Sequence, residues 1–169
     1  MAALKVLKNM RAKLDKTLEV LLIILMGFMV LNVLWQVFSR YILQDPSSIT
    51  DELARFQLIW LGLLGACYAV GKKTHLAIEL FGSGLSAGQK LLSDLFIQIV
   101  IFLFALLVMV IGGFRLMQIT LVLNQVSAAL QIQIGYVYSI LPISGLVMMF
   151  YSITFMLDDL AIFASEKRA

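Results

Sequence analysis

The chain has 169 residues, of which 62% are hydrophobic and 14% are charged, and its formal net charge is +3. An ordinary soluble domain is roughly 45–50% apolar and about 25% charged, and a soluble fold of this size has too much surface to hide so many apolar side chains. The mean hydropathy of +0.98 therefore excludes a soluble globular domain and predicts a protein that folds in a lipid bilayer.

The first predicted element is an amphipathic helix that precedes the first apolar run. Its apolar side chains recur at helical spacing, and its lysines lie largely off that stripe. The stripe consists of Leu4, Leu7, Met10, Leu14 and Leu18, and the lysines are Lys5, Lys8, Lys13 and Lys16. We expect this segment to lie on the inner leaflet before the chain turns into the first span.

Four apolar runs then predict four membrane-spanning helices, because a spanning helix needs roughly 20 residues. They cover about residues 18–39, 53–71, 91–114 and 136–157, within a single membrane domain of residues 1–169. Residues 116–133 contain many amides and hydroxyls and are too polar for a lipid-facing span. We expect the third helix to run on past the membrane there, and an interfacial or re-entrant connection to follow it.

The lysines and arginines predict the orientation of the bundle, because cytoplasmic loops carry an excess of both. One side of the predicted spans carries Lys5, Lys8, Arg11, Lys13, Lys16, Lys72, Lys73, Lys90, Lys167 and Arg168, and the opposite side carries Arg40, Arg55 and Arg115. Both termini are therefore predicted to lie in the cytoplasm. Since the basic residues are spread over membrane-flanking segments, they do not indicate nucleic-acid binding.

The loop between the second and third helices carries Lys72, Lys73 and His75 at its start. A second amphipathic segment is predicted at residues 74–85, with a plain connecting loop as the alternative. A metal site needs several converging ligands, and the single histidine of the chain has no companions. His75 is therefore interpreted as a surface or packing residue.

The second helix begins with a cluster of charges, which are costly deeper in a membrane. Asp51 and Glu52 suit the positive end of the helix dipole, and both are spaced to reach Arg55 on one helix face. Arg40, followed by Tyr41, ends the first helix across a short loop. The cluster is either a solvated helix start, capped by Ser47, Ser48 or Thr50, or an outer-side clamp. As a clamp it would close the first hairpin and help form a surface for a partner protein.

Other residues point to helix packing. Trp35 and Trp60 lie in the predicted outer halves of the first two helices, where aromatic side chains anchor the interface or pack against a partner. Gly62 and Ala66 form a pair of small residues four apart, which permits close helix approach. The single Cys67 excludes an internal disulfide and CxxC chemistry.

The sequence predicts no catalytic, metal-binding or cofactor-binding site, so the chain is not expected to be an enzyme. A membrane enzyme would need a clustered set of nucleophile, base or metal ligands. Transport proteins usually place ionisable groups near the bilayer midplane, whereas the charges here avoid the middle of every predicted span. A self-contained four-helix carrier and a different membrane scaffold remain as alternatives, and a thiol oxidoreductase is disfavoured by the single cysteine.

Two stretches resemble the small membrane subunit, of the DctQ type, of tripartite ATP-independent periplasmic (TRAP) transporters. They are NVLWQVFSRYIL and ITDELARFQLIWLGLLGACYAVGKKTHLAIELF, which together span residues 32–81. The matching features are the pair Arg40-Tyr41, the acidic helix start at residues 51–55, the pair Gly65-Ala66 and the basic, histidine-containing loop of residues 72–75. Ile49-Thr50 departs from the pattern, since many relatives have a tryptophan there.

The resemblance implies a multi-pass protein of the bacterial inner membrane that pairs with a much larger membrane subunit. That larger subunit would carry the substrate and sodium sites. A periplasmic binding protein would deliver an organic acid, such as a dicarboxylate, a sialic acid or a sugar acid. The small subunit would act as a scaffold of this sodium-coupled transporter and would need no cofactor.

Overall fold

The computed structural model describes residues 2–45, 47–72 and 87–166. These residues form α1 (Ala2–Tyr41), α2 (Ser48–Gly71), α3 (Ala87–Phe104), a π-helical segment (Ala105–Gly112), α4 (Gly113–Val122), α5 (Ile134–Tyr138) and α6 (Ile140–Glu166). No strand occurs in these ranges. The second predicted amphipathic segment at residues 74–85, together with Lys73, His75, Lys167 and Arg168, lies outside the described residues.

Within the described residues, four helical stretches are long and apolar enough to cross a membrane. They are Val6–Tyr41, Ser48–Gly71, Leu91–Val122 and Ile134–Ile162. The third comprises most of α3, the π-helical segment and α4, and the fourth comprises α5 and most of α6. This confirms the predicted all-α membrane fold with four spans, while the side of the membrane on which the termini lie stays a prediction.

The first helix differs from the sequence-based expectation because it contains no turn between the amphipathic segment and the first span. α1 runs unbroken through 40 residues, which at about 1.5 Å per residue makes it about twice as long as the hydrocarbon core is thick. Its N-terminal part is rich in leucine, lysine and alanine, which favour helix, and it contains no proline. The first turns of α1 therefore continue the span beyond the hydrocarbon instead of bending along the surface.

The start of α2 is fixed locally. Ser47 is its N-cap: the side-chain oxygen accepts a hydrogen bond from the backbone N–H of Thr50 at 3.5 Å, and the Thr50 hydroxyl donates to the Ser47 carbonyl at 2.9 Å. A polar N-cap of this kind satisfies backbone donors that have no partner within the helix. The cap places Asp51 in the first turn of α2 and Glu52 directly after it, at the end of the bundle.

The buried core lies along α6, which packs against both the third span and α2, and α1 packs mainly on α2. Core side chains include Leu18, Leu64, Cys67, Ala105, Met109, Met148, Tyr151 and Phe155. Most large apolar side chains of α1 stay outside this core; Ile23 and Leu31, for example, are 65% and 66% exposed. In a membrane this exposed face of α1 contacts lipid or another membrane protein.

Glycines bring the last two spans into close contact. A Cβ atom added at Gly145 of α6 would lie 2.8 Å from Cβ of Met109 and 3.1 Å from the carbonyl oxygen of Ala105. One added at Gly113 would lie 2.7 Å from Cβ of Leu141. In a π-helix the backbone hydrogen bonds join residue i to residue i+5, so each turn contains more than the roughly 3.6 residues of an α-helix. The buried Ala105, Met109 and Gly113, which are spaced four apart, therefore lie on one face of the segment, and this face contacts α6. At Gly113 and Gly145, any side chain larger than hydrogen would push these spans apart.

We expect Gly145→Ala to destabilise the protein, because overpacking a tight contact costs about 1–3 kcal/mol. Gly65→Ala is the matched control: no atom lies within 4 Å of a Cβ added there, and alanine is the better helix former by about 1 kcal/mol. Thermal unfolding in one detergent should give a midpoint several degrees lower for Gly145→Ala and an unchanged or higher midpoint for Gly65→Ala. Equal midpoints would contradict the close approach of α6 to the π-helical segment.

Candidate functional site

The predicted clamp residues lie at one end of the bundle, here called the hairpin end. It comprises the last turn of α1, the first turn of α2, and the connection of residues 123–133 between α4 and α5. The opposite end, called the terminal end, comprises the N-terminal turns of α1 and the last turns of α2 and α6. Each end holds its own set of ionic contacts.

Asp51 is the centre of the contacts between α1 and α2 at the hairpin end. Its carboxylate lies 3.1 Å from Nη2 of Arg55 and 3.9 Å from Nη2 of Arg40. It also accepts a hydrogen bond from the side-chain amide of Gln36 on α1. The side chain of Arg40 is 53% exposed and that of Arg55 is 75% exposed, so solvent weakens each ion pair. The structure thus brings together three of the predicted clamp residues and adds Gln36 to them.

A second polar contact between α1 and α2 lies deeper in the bundle. The amide nitrogen of Asn32 donates to the carbonyl of Thr50 at 3.0 Å and to Oε1 of Gln57 at 3.3 Å. Asn32 and Gln57 are both buried, where a hydrogen bond between helices replaces a lost contact with water. These two amides were not predicted from the sequence to lie at the site. The sequence does contain a signal for polar contacts on this face of α1: Asn32 and Gln36 lie four residues apart in an otherwise apolar run.

Glu52 points away from Asp51 and binds the connection between α4 and α5. One carboxylate oxygen accepts the backbone N–H of Ala128 at 3.1 Å, and the other accepts those of Ala129 at 2.9 Å and Leu130 at 2.8 Å. Successive N–H groups that converge on an anion form a concave nest, and hydrogen bonds to a charged acceptor are stronger than neutral ones. Across the described ranges, neither Arg40 nor Arg55 lies within ion-pair distance of Glu52.

The connection that Glu52 holds is compact. The backbone N–H of Ser127 donates to the carbonyl of Ile132 at 2.8 Å, and that of Ile134 donates to the carbonyl of Gln125 at 2.9 Å. Asn124 and Gln131 adopt left-handed backbone conformations, with φ of 48° and 55°, that turn the chain back on itself. Helix α4 ends at Val122, immediately before this turn. The connection is therefore a defined turn fixed to the first turn of α2.

The predicted packing residues fall into two groups. Trp60 points inward, where its indole N–H donates to the carbonyl of Val137 in α5 at 3.1 Å. Trp35 is about half exposed, and Tyr41, Gly62 and Ala66 are exposed as well. A Cβ atom at Gly62 would meet no atom within 4 Å, so this small-residue pair faces outward and mediates no close approach between helices of the described chain.

The terminal end contains a second set of ionic contacts, which was not predicted from the sequence. Arg11 of α1 lies 3.1 Å from Asp158 of α6, and Lys72 lies 3.6 Å from Asp15 of α1. The Tyr151 hydroxyl also donates to Asp15. These contacts join α1 to both α2 and α6. They link positions far apart in the sequence, so no local spacing marks them.

The arrangement links helices and presents surfaces; it does not assemble a reactive centre. In the part of the chain that the structure describes, no group of three or more His, Cys, Asp or Glu side chains could hold a metal ion. Cys67 is fully buried, and its thiol donates to the carbonyl of Ser144 at 3.3 Å. The ionic contacts instead fix α1, α2, α6 and the α4–α5 connection relative to one another.

Comparison with known proteins yields one family and two curated relatives. Residues 29–161 match the model of the family described as tripartite ATP-independent periplasmic transporters, DctQ component. The chain is 27% identical over 106 residues to the sialic acid TRAP transporter small permease protein SiaQ of Vibrio cholerae, covering 63% of this chain and 61% of that protein. It is 34% identical over 80 residues to a putative TRAP transporter small permease protein of Haemophilus influenzae, covering 47% of this chain and 50% of that protein. The matches thus span less than two thirds of either relative.

We expect Glu52→Gln to free the α4–α5 connection, because a neutral amide replaces the carboxylate that three backbone N–H groups share. Hydrogen–deuterium exchange at Ala128, Ala129 and Leu130 should become roughly tenfold faster or more, as expected for a segment that opens locally. Asp51→Asn is the matched control, since it weakens the contacts to Arg40 and Arg55 but leaves these amides protected. Unchanged exchange in Glu52→Gln would show that the carboxylate does not hold the connection.

Proposed function

The chain belongs to the family of DctQ components of tripartite ATP-independent periplasmic transporters, and on that premise we propose that it is the scaffold subunit of a sodium-coupled importer of an organic acid anion. The family consists of transporter components, so the protein is not an enzyme. It is a multi-pass protein of the bacterial inner membrane. The proposal concerns what this subunit does within such a transporter.

The main support for a scaffold role is the position of the charged side chains that contact one another, which lie at the two ends of the bundle. A subunit that moves ions or substrates unaided usually needs ionisable groups near the bilayer midplane. Here Asp51 and Glu52 fix α2 to α1 and to the α4–α5 connection, while Arg11 and Asp15 fix α1 to α6 and α2. Contacts at both ends hold the helices relative to one another, and a bundle held in this way can serve as the fixed part against which another subunit moves.

The partner in the membrane is proposed to be a large transporter subunit that carries the substrate and sodium sites. Leu58, Gly62 and Ala66 face outward from α2. The two small residues among them, Gly62 and Ala66, let another helix approach closely in lipid. The neighbouring apolar face of α1 is also uncovered, with Leu34 61% exposed. These two faces together form the proposed contact surface for the large subunit.

The hairpin end is proposed to face the periplasm, as the distribution of lysine and arginine predicts. The connection fixed by Glu52 and the exposed side chains of Tyr41 and Ile42 lie there. A binding protein that delivers substrate would meet this surface first. We propose that the ionic contacts of Asp51 and Glu52 hold the surface in the shape that the binding protein recognises.

The relative from Vibrio cholerae is named as part of a sialic acid transporter, which makes sialic acid the first substrate to test. Dicarboxylates and sugar acids are the other organic acids in the proposal. Since the proposed substrate site lies in the large subunit, the choice among them is expected to depend on that subunit and on the binding protein.

The first test of the proposal is purification of this chain from its native membrane in a mild detergent, followed by mass spectrometry of the proteins that accompany it. We expect one large polytopic membrane protein in a fixed ratio to this chain. A homo-oligomer without such a partner would contradict the subunit role and favour a self-contained carrier.

In vesicles reconstituted with all components, we expect Arg40→Ala and Glu52→Ala each to lower substrate uptake roughly three- to tenfold, as loss of a positioning contact at an interface typically does. His75→Ala is the control and should leave uptake unchanged. The amount of large subunit retained separates lost assembly from lost docking. If all three variants transport like the wild type, the hairpin end has no role in uptake.

A further inference from the structure

We propose that the outer face of α1 near the terminal end binds one anionic phospholipid. This inference concerns the leaflet on that side of the membrane and does not depend on the transport role proposed above. It rests on two grooves that share residues and on the charges at their mouth.

Two adjacent grooves lie on the surface of α1. The first, of about 390 Å³, is lined by Met10, Lys13, Leu14 and Thr17 of α1 and by Phe150 of α6. The second, of about 620 Å³, is lined by Lys13, Lys16, Thr17, Val20, Leu21 and Ile24. Lys13 and Thr17 line both grooves, and the second groove continues along the apolar part of α1 as far as Ile24.

The polarity of the second groove matches that of a phospholipid. It begins with Lys13, Lys16 and Thr17 and continues with apolar side chains as far as Ile24. The distance from residue 13 to residue 24 is about 16 Å at 1.5 Å per residue, which is roughly half of a 30 Å hydrocarbon core. Lysine stems lie along apolar surface while their ammonium groups reach the headgroup layer. The lysines would therefore meet the phosphate, and Val20 to Ile24 would meet an acyl chain.

The charges at the mouth favour an anionic headgroup. Arg11 and Lys72 are engaged by Asp158 and Asp15 on other faces of the helices. Lys13, in contrast, forms no ion pair with a residue that the structure describes. Lys16 lies 3.9 Å from Glu19, and both side chains are well exposed, at 73% and 42%, so that pair is weak. Lysines next to a membrane surface attract anionic lipids.

A partner helix suits this face less well than a lipid. Close helix packing in membranes relies on small residues, whereas the second groove is walled by Val20, Leu21 and Ile24, of which Ile24 is 61% exposed. Two lysines at its mouth would also need acidic partners on such a helix. The headgroup of an anionic phospholipid supplies that negative charge and the acyl chain fills the groove.

The test uses the full chain in nanodiscs that contain equal amounts of phosphatidylglycerol and phosphatidylcholine with identical acyl chains. Native mass spectrometry then counts the lipids that stay bound as the disc is removed. We expect a preference for phosphatidylglycerol of roughly tenfold, since each lysine near an anionic surface contributes severalfold and Lys16 is partly engaged. The double variant Lys13→Gln/Lys16→Gln should retain the two lipids almost equally.

Two controls keep the result specific. Lys13→Arg/Lys16→Arg preserves the charge and should preserve the preference. Lys8→Gln removes a lysine that lines a different pocket, next to Asp159 and Gly71, and should not change it. Equal retention of both lipids by the wild type would overturn the proposal, as would a preference that survives in the double glutamine variant. Loss of the bound phosphatidylglycerol from a complex with the large subunit would assign the groove to a protein helix instead.

Discussion

The cost of placing a charge in hydrocarbon, several kcal/mol even by the lower measures, organises this bundle. The ionic contacts of α1 and α2 lie at the ends of the spans, with Asp51 at the hairpin end and Asp15 at the terminal end. Between these levels the helices meet through apolar side chains, glycines and a few amides. The charges therefore act where water still reaches them, and the middle of the bundle is left to packing.

This division explains how α1 stays attached while burying so little. Among its described side chains only Leu18, Asn32 and Ser39 are buried, far too few to hold a helix of this length by apolar burial. Polar contacts hold it at three levels instead, through Arg11 and Asp15, through Asn32, and through Gln36 and Arg40. A helix held by its ends and one central amide keeps a wide apolar face free for lipid or protein, as a scaffold requires.

The sequence could predict what depends on composition and on local spacing. The apolar runs marked the four spans, and the spacing of Asp51 and Arg55 marked a pair that forms within one helix turn. It could not place contacts between distant segments. Glu52 has the right spacing for Arg55 yet binds the α4–α5 connection, because three backbone N–H groups satisfy a carboxylate better than one exposed arginine.

Glycines show the same limit. The pair Gly62 and Ala66 has the spacing typical of close helix contact, but the tight contacts within the chain occur at Gly113 and Gly145. Which glycine is close to a neighbour depends on the rotation of each helix, and that rotation is set by the whole core. The expected bend after the amphipathic segment is absent from α1 for a related reason: amphipathic patterning indicates which face is polar, not whether the helix axis turns.

The contact of Glu52 with the backbone has a consequence for the variation that the protein can tolerate. The carboxylate recognises three main-chain N–H groups, which every residue except proline supplies. The side chains at Ala128, Ala129 and Leu130 can therefore change without releasing the turn. Covariation between Glu52 and these positions should be weak despite their direct contact, so contact maps inferred from sequence families will underestimate this link.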